Sequence, residues 1–364
     1  MNDKTPEPDA GDLEPTLASP ASRPGFRRGL RKTGTTGVTT LVTLLGLLVV
    51  TFSLGRVLPA DPVLKIVGDR ASQAQYDKVY KELRLDRPLA EQFMSYVSDM
   101  ARGDFGRSLV TSHPISEDIL RFFPATFELA TVAILIGVLI GLPLGALCAL
   151  YNDRLADHIG RIFSLIGYSM PIFWLGIIGL LVFYSKLGWV GGPGQLDIAY
   201  QFSVPTITHL VLLDSAISGQ WDAFANALSH IILPASLLGW FAVGYIARMV
   251  RSFLLWQMRQ DYITVLRVKG LSEGAIVWRH ALRNAAGPVL TIVALTYAYL
   301  LEGAVLTETV FAWPGLGMYI TDSLFAADIP AVLVATLLIG IIFMVVNISS
   351  ELIQDSLDPR TRTA

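Results

Sequence analysis

The chain has 364 residues, 52% hydrophobic and only 16% charged, with a mean hydropathy of +0.52. A soluble domain carries about 25% charge, so a chain this long lacks the polar surface to cover itself and reads as a membrane protein. The formal charge of −2 argues against nucleic-acid binding, and a single cysteine, Cys148, excludes an internal disulfide or a cysteine-based metal site.

Residues 1–22 are rich in Pro, Asp, Glu and Ala, and the region 1–37 is expected to be a disordered cytoplasmic tail. Its stretch Gly29-Leu-Arg-Lys-Thr-Gly34-Thr-Thr36 imitates a phosphate-binding loop, but Thr35 stands where the lysine is needed and no strand precedes it. Six stretches then reach the roughly 20 apolar residues that a membrane crossing needs. They are 38–58, 125–150, 162–186, 230–250, 285–306 and 331–352. The first is an anchor rather than a cleaved leader, because its apolar run exceeds the usual 7–15 residues and no small-residue cleavage site follows.

Lys and Arg set the orientation. Arg27, Arg28, Arg31 and Lys32 precede the first stretch, and Arg154 and Arg161 separate the second from the third. A larger basic group, from Arg248 to Arg283, separates the fourth from the fifth, and Arg360 and Arg362 follow the sixth. Residues 188–229 and 309–330 contain neither Lys nor Arg. The expectation is an all-α membrane protein with six transmembrane helices and both termini in the cytoplasm. Residues 59–124 carry charges of both signs and are expected to form a small, partly helical periplasmic domain. Residues 125–352 would be a five-helix core, and 353–364 a cytoplasmic tail.

Reactive motifs are missing. No His-Glu-x-x-His or Gly-x-Ser-x-Gly occurs, and the five histidines are scattered over different loops. The sequence therefore predicts no catalytic residue, no metal and no cofactor in this chain. If it moves a solute uphill, the energy comes from a partner or an ion gradient. An ion-coupled carrier usually places ionisable groups at mid-membrane, and these stretches are nearly clean. Glu128, Glu302, Glu308 and Glu351 lie toward their ends. Glu302 lies toward the outer half of the fifth stretch and has two open readings. It is either a wall of an aqueous path, or a side chain bonded to a neighbouring helix or simply near the interface.

The inner loop, about 251–284, keeps apolar faces through Phe253, Trp256, Ile263 and Leu266. Gly270 breaks a first helix, Ser272 is placed to cap a second, and Glu273 suits its first turn. Such a loop either docks another protein or lies on anionic lipid. On the outer side, Trp313 and Pro314 open a Trp-Pro-Gly-Leu-Gly turn that is either a gate or an interfacial anchor. The same pair of readings applies to Trp189-Val-Gly-Gly-Pro-Gly194.

These motifs together resemble one family. The run from Lys269-Gly-Leu-Ser272 to His280-Ala-Leu-Arg-Asn284 and Pro288 is similar to the cytoplasmic coupling region of binding-protein-dependent ABC importer permeases, in the dipeptide, oligopeptide and nickel branch. Arg102-Gly-Asp-Phe-Gly-Arg-Ser108, Thr307-Glu-Thr-Val-Phe-Ala-Trp-Pro-Gly-Leu-Gly317 and Leu357-Asp-Pro-Arg360 resemble further runs of that branch. One departure stands out: the general signature's Glu-Ala-Ala is Thr264, Val265 and Leu266 here.

The resemblance implies a multi-pass protein of the bacterial inner membrane that forms half of a transport pore. Its implied partners are a homologous second permease, two ATPase subunits holding ATP and Mg, a periplasmic or lipid-anchored binding protein, and membrane lipid. Leu271, Ser272 and Glu273 are the implied ATPase contact, followed by Trp278, Arg279 and His280. Gly270 is structural, Asn284 and Pro288 set the bend into the fifth helix, and Glu302, Glu308, Trp313 and Pro314 are pore or gate candidates. Peptide is the expected cargo. An ion-coupled carrier, or an importer of nickel, glutathione or another small solute, is the alternative.

Overall fold

A computed structural model describes residues 25–57, 62–68, 70–82 and 84–357. The first part of the expected tail and most of the Leu357-Asp-Pro-Arg360 ending lie outside the described residues. Within them the chain is helical, with one isolated bridge between Arg107 and Pro114. Long apolar runs dictate this, because in lipid a helix satisfies every backbone group within itself.

Helix α1 (Gly25–Val57) starts inside the stretch expected to be disordered. Its apolar part is Thr39–Gly55. Three short helices follow: α2 (Pro62–Val67), α3 (Gln73–Glu82) and α4 (Leu89–Ala101). Helix α4 leans on the outer end of α1. Tyr96 and Thr51 share a hydrogen bond of 3.2 Å, and the Phe52 and Phe93 rings meet edge to face at 5.3 Å.

Helix α5 (Ile115–Leu150) begins well before residue 125, where the apolar run starts. Pro114 precedes it and Glu117 and Asp118 lie in its first turn, where negative charge meets the positive end of the helix. Its 36 residues make about 54 Å of helix, longer than the roughly 30 Å hydrocarbon layer.

The stretch 162–186 is not one straight span. It divides into α6 (Leu155–Ser169) and α7 (Ile172–Gly179), and the latter continues in wider π-type turns over Leu180–Lys186. The two segments bend by 94°. Pro171 is the cause: it lacks an N–H, and it forces Met170 into extended backbone at φ −82° and ψ 139°. The signal was present in the sequence as a proline inside an apolar run.

The short α8 (Val211–Ile217) precedes α9 (Trp221–Gln257), which leads into the basic loop. That loop holds α10 (Asp261–Val268), α11 (Glu273–Ala275), a π-type stretch Ile276–Ala281 and the single turn α12 (Leu282–Asn284). Helix α13 (Ala286–Gly303) follows, then α14 (Val305–Val310), α15 (Leu316–Phe325) and α16 (Ile329–Leu357). Among the described residues four helices, α5, α9, α13 and α16, are long and apolar enough to cross a membrane, and the bent α6–α7 pair would be a fifth.

The core is centred on α5 against α9. Gly137, Gly141 and Gly145 line one face of α5 at four-residue spacing. A Cβ at Gly137 would lie 2.6 Å from the Ala242 Cβ, and one at Gly141 3.1 Å from the Val243 carbonyl oxygen. One at Gly145 would lie 2.5 Å from the Ala247 carbonyl oxygen. Lipid tails are as apolar as leucine, so helices in a bilayer hold together by close packing of this kind rather than by exclusion of water.

Replacing Gly145 by valine should therefore separate the two helices. Overpacking typically costs about 1–3 kcal/mol, and the obstacle here is backbone, which yields least. The expected outcome is a clearly lowered melting temperature in detergent. Gly46→Ala is the control, because nothing lies within 4 Å of a Cβ there. Equal melting of the Gly145→Val and control proteins would refute the role of this seam.

Candidate functional site

The inner loop is a two-faced element. Gly270 has φ of +82°, a conformation that costs other residues about 1–2 kcal/mol. Its N–H bonds the Arg267 carbonyl at 2.9 Å, and the Leu271 N–H bonds the Leu266 carbonyl at 3.2 Å. These paired bonds close the end of α10 in a Schellman turn. Two residues on, the Ser272 hydroxyl accepts the Ala275 N–H at 3.3 Å and starts α11. Arg267 then bridges the glycine, donating to Glu273 through Nε at 2.6 Å and Nη2 at 3.1 Å. This contact holds the Glu273 carboxyl below the ordinary glutamate range.

One face of this element is core. Ile263, Ile276, Val277 and Ala281 are fully buried and continuous with Leu254, Ala146 and Ala149 at the inner ends of α9 and α5. The other face is open. Ser272, Glu273, Trp278 and Arg279 are exposed, while Leu271 and His280 are half-buried. Asn284 ends α12, and Ala285, at φ −87° and ψ 0°, interrupts the helix before α13. Pro288 sits in the first turn of α13, where a missing N–H leaves no bond unmade.

An ion pair braces the same end of the molecule. Arg251 on α9 reaches Asp157 on α6 through Nε and Nη2, both at 2.7 Å, and also bonds Asn152 at 2.8 Å. Asp157 is fully buried. Sequence reasoning counted Arg251 only as an orienting charge and missed its partner. The one readable signal was an acid, Asp157, in a short basic loop.

On the outer side, Glu308 is fully buried and accepts from the Thr126 hydroxyl at 2.6 Å and from the N–H groups of Gly317 at 2.7 Å and Met318 at 3.0 Å. Burial pushes its carboxyl above the ordinary range, against the pull of these donors. Trp313 is buried as well, and its Nε1 donates to the Ala125 carbonyl at 2.9 Å. Pro314 is half-buried between them. Glu308 and Trp313 thus clamp the turn onto α5. Both side chains are enclosed within this chain.

The Ser108 motif joins this cluster. Asp328 accepts from the Ser108 hydroxyl and the Leu109 N–H, both at 2.6 Å, and Asp118 accepts from Tyr319 at 3.1 Å. Both aspartates were missed, although Asp328 two residues before Pro330 is a readable helix start. Glu128 accepts the Leu212 N–H at 2.7 Å at the start of α8. Gly194 donates to the Phe311 carbonyl at 2.8 Å, so its loop also meets the clamped turn.

The α6–α7 break opens a cavity of about 540 Å3 lined by Met170, Pro171, Tyr299 and Glu302. Tyr168 forms part of its wall and also of a second cavity, of about 420 Å3, where Arg161, Arg248 and Arg251 lie. Charge therefore changes sign across one tyrosine. Of the four pore candidates, Glu302 lines the first of these spaces.

Known proteins are similar to most of this chain. Residues 141–363 match the family described as binding-protein-dependent transport system inner membrane component, and residues 31–130 match its N-terminal counterpart. A probable D,D-dipeptide transport system permease of Escherichia coli K12, DdpB, is 43% identical, covering 86% of this chain and 92% of its own. The di/tripeptide permease DppB of Pseudomonas aeruginosa is 40% identical, covering 88% of this chain and 95% of its own. Among solved structures, the inward-facing MetNI methionine ABC transporter superposes with a TM-score of 0.51 at 18% identity, covering 68% of this chain and 99% of that one. This last likeness is one of fold.

The Asp157–Arg251 pair gives a direct test. Removing one partner of a buried pair leaves an uncompensated charge and costs about 3–5 kcal/mol. Asp157→Ala should lower the melting temperature in detergent sharply. Adding Arg251→Met should recover most of the loss. If the single and double variants melt alike, the pair is not the brace described.

Proposed function

The chain belongs to the binding-protein-dependent transport system inner membrane component family, and from that premise we propose that it is the permease subunit of an ATP-driven importer of di- or oligopeptides. It is a multi-pass inner-membrane transport subunit rather than an enzyme. The observation that carries the mechanism is the two-faced inner element, with one face in the transmembrane core and the other open.

In this reading the chain crosses six times with both termini in the cytoplasm. The spans are α1, α5, the bent α6–α7 pair, α9, α13 and α16, and α2 to α4 form the small outer domain. The lone short apolar part of α1 is long enough when its flanks sit in the headgroup region. A second, homologous permease completes the pore. Two ATPase subunits bind below and hold the ATP and Mg, and a binding protein delivers peptide above.

Force enters at Leu271, Ser272 and Glu273, with Trp278, Arg279 and His280 beside them. The Schellman turn at Gly270 and the Arg267–Glu273 bridge make this segment a stiff elbow. Its buried side, Ile263, Ile276 and Val277, passes displacement to α5 and α9 because close-packed cores switch between discrete arrangements rather than deform continuously. The break at Asn284 and Ala285 lets α13 change its angle to the elbow.

The test uses the reconstituted complex in vesicles and reads peptide carried per ATP hydrolysed. Gly270→Pro and Glu273→Arg should both insert and fold, and each should lower that ratio by about tenfold or more, about 1.4 kcal/mol of coupling. The double variant Arg267→Glu with Glu273→Arg restores an internal ion pair in reverse. It should stay uncoupled if Glu273 meets a partner. Full recovery in the double variant would assign Glu273 a purely internal role.

A further inference from the structure

The cavity at the α6–α7 break has no part in the coupling described above. Its wall is largely aromatic and apolar. The Tyr168 ring stacks on Phe241 at 5.3 Å, and Phe241 stacks on Tyr299 at 5.1 Å. Glu302 and Thr307 interrupt this wall, beside the Tyr168 and Tyr299 hydroxyls, and Glu302 is the charged side chain among its lining residues.

Glu302 is exposed to the cavity and makes no hydrogen bond or ion pair among the described residues. It is the penultimate residue of α13. Backbone carbonyls concentrate partial negative charge at that end, so a glutamate there is disfavoured by its own helix. Helix stability does not explain it. Thr307 is only 1% exposed, and its Oγ1 finds no partner among the described residues. A buried hydroxyl left unpaired costs about 1–3 kcal/mol. The Glu302 carboxylate calls for something that arrives from outside the chain, whereas the Thr307 oxygen is closed off from the cavity.

A carboxylate beside an aromatic wall suits one kind of visitor, although the Tyr168 ring already carries the Arg248 guanidinium 4.8 Å from its centroid. A primary ammonium brings three N–H donors and a positive charge, and aromatic faces attract cations. A carboxylate visitor would meet repulsion from both Glu302 and the helix end.

We propose that this cavity is a transit site for the α-ammonium terminus of the carried peptide, with Glu302 as its counter-ion. The proposal rests on the peptide-import reading and deepens it. The apolar wall receives the first side chain without selecting among them, which suits a carrier of many peptides. A single exposed charge gives a weak site, and a conduit needs binding weak enough to release.

The complete importer in vesicles, with its ATPases and binding protein, provides the test. Uptake of a free dipeptide should fall about tenfold in Glu302→Gln and be largely kept in Glu302→Asp. The melting temperature of Glu302→Gln should stay at the wild-type value, because the side chain holds no partner to lose. A second measurement reads the charge without transport. Leu306→Cys puts a thiol on the cavity wall, and its modification by permanently cationic and permanently anionic thiosulfonates is timed, with unsubstituted protein as background. The cationic reagent should react about tenfold faster, and that preference should vanish when Glu302→Gln is added. Wild-type uptake by Glu302→Gln, or equal reaction of the two reagents, would overturn the proposal. A wild-type complex that carries no peptide would overturn the import reading instead, while the reagent ratio would still decide whether the cavity selects cations.

Discussion

The close approach of α5 and α9 is the constraint on which the rest depends. In water two helices are driven together by the surface they hide, but in lipid that force is missing and contact must come from shape. Glycines at 137, 141 and 145 let one backbone sink into the groove of the other. The pair then offers a rigid post running from the outer clamp at Trp313 to the inner elbow at Ile263 and Ile276. Both families of motif attach to this post. The Trp-Pro-Gly turn binds Ala125 and Thr126 on α5, and the Gly270 elbow buries its apolar side against the inner ends of the same two helices.

Much of this was legible in the residues. Apolar runs located the long helices, and the glycine, serine and glutamate near 270 marked a turn, a cap and a helix start. Each of these signals is local: a few neighbouring residues decide the outcome, and lipid adds no competing solvent for backbone bonds. The bend at Met170–Pro171 was also local, and it was passed over because hydropathy averaged across it.

What the sequence hid was pairing over distance. Nothing near Arg251 announces Asp157, and nothing near Ser108 announces Asp328, which lies more than two hundred residues away. Those bonds exist because the fold brings two helix ends together, and each polar group was then retained for want of water. Glu308 shows the difficulty most plainly. A carboxylate near the end of a span suggests a path for solute, yet the same desolvation argument also allows a group held by three donors. Only the partners decide between the two, and for Glu308 they are all internal.

That distinction is also what separates Glu302 from Glu308. Six residues apart, one is enclosed by Thr126, Gly317 and Met318, and the other stands without a partner at the rim of a cavity. A buried acid with its bonds made contributes to holding a turn in place, and changing the solute leaves it indifferent. An unpartnered acid at the negative end of a helix contributes nothing to the fold, so its energy is free to be spent on whatever passes. Across Tyr168 the next cavity carries arginines instead, so a solute bearing one charge of each sign meets an attractive group on either side of a single aromatic ring. A conduit built this way grips the ends that all its cargoes share and leaves their side chains to an apolar wall. Such a wall tolerates differences of a methylene or two at a cost of about 1–3 kcal/mol, too little to sort one cargo sharply from another. On the proposed import reading, selection among cargoes falls to a step before the membrane, and motion through it to the elbow at Gly270.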